Sequence, residues 1–127
     1  MSEAPLDVVM RVCIPTVSPG GPDASLPDHF DLMETIDYYD LDEDGHFEHT
    51  AETRYCGGGC YDIVEAMVRR DVKALVVRSM SPYTLRRFTS SGVKVHSGGR
   101  NTPRQSLKKL ADGTLPELDP KTQTRRM

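Results

Sequence analysis

The sequence lacks what a membrane protein or a nucleic-acid binder would need. None of its 127 residues belong to an apolar run near the roughly 18 that a bilayer span requires. Lys and Arg number 16 against 19 Asp and Glu, a net charge of -3, whereas backbone phosphates are bound by clustered cations. The one dense basic group, KTQTRRM, is terminal. The opening MSEAPLD has neither a basic nor an apolar leader region, so a cytoplasmic location is expected, with reduced cysteines and no structural disulfides. Also missing are a Gly-x-Ser-x-Gly elbow, a P-loop, a His-Glu-x-x-His pair, any internal repeat, and any spacing of acids that marks a catalytic pair.

What is present suits one soluble domain, long enough to bury about two thirds of its unfolded surface. We expect that domain over residues 7–115, with flexible tails at 1–6 and 116–127. VVMRVCI, Val8 to Ile14, reads as a central strand ended by Pro15, and residues 16–28 read as a loop. LMETIDYY and HFEHTAET form a strand pair, with His49 on the face of Phe47 and Ala51. Ile63, Val64, Met67 and Val68 make one stripe of a helix over 62–70, and Val72 to Val77 is a second buried strand. Ser81 and Pro82 start a helix closed by Gly92, Val93 to His96 is the last strand, and Thr102, Pro103 and Gln105 start a capped helix ending at Gly113. The order βββαβαβα predicts an α/β fold with a mixed sheet and helices on its faces.

The most distinctive stretch is RYCGGGC, Arg54 to Cys60. Three successive glycines are entropically costly, which suggests that backbone approaches something closely. A helix starting near Tyr61 would aim free N–H groups at the same place, favouring anions and lowering thiol pKa values. Thiolates plus N–H donors suit a sulfide-bearing metal cluster; an incidental flexible loop is the bland alternative, and the C-x3-C spacing without a second pair disfavours zinc. Asp40, Asp42, Asp44 and Gly45 match the start of a calcium loop, but position 12 is Ala51, so a hairpin turn is expected. Cys13 and His49 are expected in the core, and His46 in solvent.

The pattern resembles the dinitrogenase iron-molybdenum cofactor biosynthesis family, whose members have a ribonuclease H-like fold. The resemblance runs over residues 10–115 through MRVCIP, DHF, RYCGGGC, SPYTLRRFTSSGVKV and TPRQSLKKLADGTL. It departs at DLMET, where a Gly-x-Ala segment is usual, and at Met80-Ser81, where Ile-Gly is usual. The resemblance implies a three-layer fold, strand order 3-2-1-4-5 with strand 2 antiparallel, and a carrier without known catalysis. It implies an iron-molybdenum-sulfur cluster or precursor as ligand, no nucleotide cofactor, and cofactor-biosynthesis or nitrogenase proteins as donor and acceptor. Under that topology Asp28, His29, the cysteine loop, Ser81 and residues 96–100 gather at one sheet edge, with His46 at the other. Cys56, Cys60 and His29 are then the metal-site residues, with Gly57, Gly58, Gly59 and Ser81 completing the cofactor site. Three other classes compete: a metal-free interaction or regulatory domain, a zinc or redox module, and a two-metal ribonuclease H-like hydrolase. The hydrolase needs acids on its central strands, and Val8 to Ile14 offers none.

Overall fold

A computed structural model describes residues 10–54 and 62–118. Its sheet has five strands in the order β3-β2-β1-β4-β5: β1 Met10–Thr16, β2 Thr35–Leu41, β3 Phe47–Arg54, β4 Val72–Val77 and β5 Lys94–Ser97. β1 pairs antiparallel with β2, and β2 with β3, while β1, β4 and β5 are mutually parallel neighbours. β1 and β4 are therefore flanked on both sides, which is why their sequences are almost unbroken apolar runs.

The helices are α1 Ile63–Arg69, α2 Pro82–Ser90 and α3 Pro103–Asp112. α1 and α2 cover one sheet face, where Val64, Met67, Leu85 and Phe88 meet Cys13, Ile36, Leu75 and Val95. α3 covers the other, where Leu107 and Leu110 meet Val12, Ile14, Tyr39 and Val76. The three layers expected from the pattern are present in the expected order.

Local differences have local causes. β1 continues through Pro15 to Thr16, where an end at Pro15 was expected. Its parallel ladder with β4 is registered only from Arg11 to Cys13, so Pro15 stands beyond the stretch where a missing N–H would break both ladders. Leu32 is not the start of β2; Phe30–Leu32 forms a 3-10 turn capped by His29, and β2 begins at Thr35. In β3 the register shifts so that Tyr39 pairs with His49 but Tyr38 pairs with Ala51. Thr50 is the extra residue, and simple alternation does not carry from His49 to Ala51. Beyond α3, Pro116–Leu118 belong to the sheet margin and not to the flexible tail expected from 116. The Ser97 N–H donates to the Pro116 carbonyl and the Leu118 N–H to the Val95 carbonyl, both at 2.8 Å. Residues 1–9 and 119–127 lie outside the described residues.

Candidate binding cleft at the strand ends

Because β1, β3, β4 and β5 run the same way, the segments that follow them emerge at one sheet edge, where ligands of open α/β sheets bind. The long connection from β1 to β2 is fastened along this edge at several points. The Phe30 N–H donates to the Ser79 carbonyl at 2.8 Å, and the Ser79 hydroxyl donates to the Asp28 carbonyl at 3.0 Å. Arg78 pairs with the Asp28 carboxylate. Phe30 is buried with its ring edge-on to Phe88, centroids 5.8 Å apart. His29 is thereby set beside the segment from β4 to α2.

The His29 ring is itself engaged. Its Nδ1 accepts the Asp31 N–H at 3.2 Å as cap of the 3-10 turn. In a neutral imidazole one nitrogen accepts and the other carries hydrogen, so this contact puts the proton on Nε2. The side chain is partly exposed, so Nε2 is a reachable N–H donor. Ser81, on the same edge, is the cap of α2: its hydroxyl accepts the Thr84 N–H at 3.2 Å and donates to the Thr84 hydroxyl at 3.0 Å.

Cys56, Gly57, Gly58, Gly59 and Cys60 lie outside the described residues. Their described flanks are Arg54, at the end of β3, and Asp62, the cap of α1. That cap corrects one expectation. The start of α1 does not offer its Val64 and Glu65 N–H groups to an anion, because the Asp62 carboxylate accepts both, at 3.1 and 3.4 Å. Asp62 is further bound by Arg87 at 2.8 Å, a bond that is the main reason its pKa is lowered.

The remaining expectations concern residues elsewhere. Cys13 is fully buried in β1, and burial pushes its thiol well above the usual range. Among the described residues, one group of possible metal ligands lies close together: Asp42, Asp44 and His46. It is a hairpin turn at the opposite sheet edge, as expected. The Asp42 carboxylate accepts the N–H groups of Asp44 and His46, and Gly45 supplies the positive φ of 92° that the turn needs.

Sequence reasoning missed a buried carboxylate behind the cleft. Asp37 of β2 has no solvent exposure and accepts from the Thr16 hydroxyl and the Gly21 N–H, each at 2.9 Å. His49 Nε2 lies 3.3 Å from its other oxygen, and the His49 ring stacks on Tyr39. These bonds tie the β1 to β2 connection to the sheet. Nothing in TIDYYDL distinguishes Asp37 from Asp40, which pairs with Arg11 at 2.9 Å; only the register reveals it.

The topology defines a three-layer α/β domain of ribonuclease H-like architecture. The chain belongs to the dinitrogenase iron-molybdenum cofactor family, whose model matches residues 10–113. No curated protein matches it significantly. Among solved structures, a NifB candidate from Thermotoga is 26% identical with a TM-score of 0.63, covering 87% of this chain and 94% of that one. The apo orange protein of Desulfovibrio gigas is 16% identical with a TM-score of 0.64, covering 86% and 92%. A dinitrogenase candidate from Methanocaldococcus jannaschii is 12% identical with a TM-score of 0.65, covering 87% and 95%. The last two likenesses concern the fold alone. No helix among the described residues is long and apolar enough to cross a membrane.

Proposed function

We propose that the protein is a non-catalytic carrier of an iron- and/or molybdenum-containing sulfide cluster, acting in the assembly or delivery of nitrogenase cofactor. Family membership across residues 10–113 is the observation that carries this reading. It is supported by the sequence between Arg54 and Asp62, which supplies two soft thiolate donors and three glycines. Cys56 and Cys60 are the proposed metal ligands. Gly57, Gly58 and Gly59 let backbone N–H groups approach the cluster's sulfides.

His29 serves as an Nε2–H donor to sulfide, in preference to the metal-ligand role open from sequence, because its Nδ1 is occupied by the Asp31 N–H. Ser81 contributes by capping α2 at the lip of the cleft. A carrier must release its cargo, so few protein ligands and an open site suit the role better than a closed four-ligand shell. The partners are then the cluster and the proteins that donate and accept it, and the place of action is the cytoplasm.

Anaerobic delivery of a cluster followed by gel filtration and metal analysis of the protein peak tests this. Wild type should retain metal and the Cys56→Ser, Cys60→Ser double variant should lose it. His29→Ala should retain less than wild type, and His46→Ala as much. Equal retention by the double variant would refute thiolate ligation. No retention by wild type would favour the metal-free interaction domain.

A further inference from the structure

A second feature of the same sheet edge is unused by the proposed cluster site. Between the ends of β4 and β5 lies an open cavity of about 140 Å³, lined by Ser25, Leu26, Arg78, Arg100, Asn101 and Thr102 among others. The chain enters it from a close approach. Gly98 turns the chain out of β5 where a Cβ would come within 2.7 Å of Leu26 and 2.8 Å of Val76. Any side chain there would force the wall apart. Gly99 follows with φ of 55°, a left-handed reversal of the kind that turns successive N–H groups toward a concavity.

The charges here are unevenly satisfied. Arg78 is neutralised by Asp28 and Arg104 by Asp23. Arg100 is exposed and has no ion-pair or hydrogen-bond partner among the described residues, and the N–H groups of Gly99 and Arg100 have none either. The helix start beside them is not the source of affinity. Thr102 and Gln105 close a reciprocal capping box, and the Arg104 N–H is taken by the Pro22 carbonyl. What remains is a surplus guanidinium, two unused amide donors and the hydroxyl of Ser25 around a space of several water volumes. That is a donor-rich, positively charged cup in a chain of net charge -3.

We propose that this cavity binds a tetrahedral oxyanion, with Arg100 as its counter-charge and the Gly99 and Arg100 N–H groups as further donors. Guanidinium is suited to this because its fixed fork meets two oxygens at once. The anion is either a free inorganic oxyanion or the phosphate group of a larger ligand.

The test is a phosphate titration of the full chain, free of metal, followed by amide NMR at constant ionic strength with chloride as control. Saturable shifts are expected at Ser25, Leu26 and Gly99 to Thr102, with a dissociation constant of roughly 1 mM. Arg100→Ala should weaken binding about tenfold, the loss of one charge-assisted contact. Arg100→Lys should recover part of it. Unchanged melting temperatures would show both variants to be folded. Tighter binding of adenosine monophosphate, with shifts spreading beyond the cavity, would assign the anion to a larger ligand; affinity equal to orthophosphate would assign it to the free anion. Linear shifts matched by chloride, or unchanged affinity in Arg100→Ala, would overturn the proposal. The double cysteine variant should bind phosphate as wild type does, so this site and the cluster site fail separately.

Discussion

The Asp31 N–H donates to Nδ1 of His29 at 3.2 Å, and the Asp31 carboxylate stands 3.6 Å from the same nitrogen. The pair lets one residue set the chemistry of the other. While Nδ1 accepts, the neutral ring keeps its proton on Nε2. Long-range proton–nitrogen NMR of the neutral ring should therefore show the Nε2–H tautomer. An Nδ1–H tautomer would remove the basis for His29 as a sulfide donor.

Asp37 should be the polar residue on which the β1 to β2 connection depends. Asp37→Ala deletes a buried carboxylate and takes from the Gly21 N–H and His49 the acceptor they use, while the Thr16 hydroxyl keeps only the Thr35 hydroxyl. Urea unfolding should register a loss of about 3 kcal/mol, and amide shifts should change at Gly21. A loss below about 1 kcal/mol would mean that the connection is fastened elsewhere.

Phe30 and Phe88 couple the 3-10 turn beside His29 to α2. Both are buried, and their edge-on geometry is the favourable one for aromatic rings. A double-mutant cycle with Phe30→Leu and Phe88→Leu should show a coupling of about 1 kcal/mol. Additive effects would count against an aromatic contact that fixes the turn.

Cys13 should resist alkylation in the native protein. Burial raises its thiol well above the usual range, so almost no thiolate exists at neutral pH, and no reagent reaches it without unfolding. Mass mapping after native iodoacetamide treatment should find it unmodified. Modification faster than global unfolding would show that β1 opens locally.

The Asp62 and Arg87 pair predicts an acid-side effect on stability. The Arg87 bond lowers the folded pKa of Asp62, so its contribution is complete above the unfolded carboxylate value, about 3.9, and is lost as pH falls through the folded value. The difference in melting temperature between wild type and Asp62→Asn should be constant from neutral pH to about pH 5 and shrink below that. A difference that grows on acidification would reverse the sign.

The framework was legible in the sequence where one period dominated. The apolar runs of β1 and β4 require flanking strands, and Thr102 with Gln105 writes a helix start into four residues. The elements were missed where tertiary partners decide. Pro15 was read as a stop because proline ends strands in general, but here it stands past the doubly paired stretch. The Thr50 bulge has no signature of its own. At the candidate site, the strand order implied by the resemblance puts DHF beside the segment that follows β4, where the structure has it, whereas the capping of α1 by Asp62 has no clear sign, because a carboxylate close after two cysteines reads as surface. Asp37 has no sign in the sequence, since only burial distinguishes it, and for Arg100 the topology gives the sheet edge but not the absence of a partner that Arg78 and Arg104 have.

The short pairing of Pro116 to Leu118 with β5 bears on how the chain can be trimmed and on its behaviour at high concentration. The family match ends at residue 113, so a fragment cut there would look complete. It would also lose the two 2.8 Å bonds that occupy the Ser97 N–H and the Val95 carbonyl, together with the buried Leu115. β5 would then present an open row of donors and acceptors to any other strand, the usual seed of edge-to-edge aggregation. The last few residues of the described chain thus act as a selvedge that keeps the sheet from fraying into its neighbours.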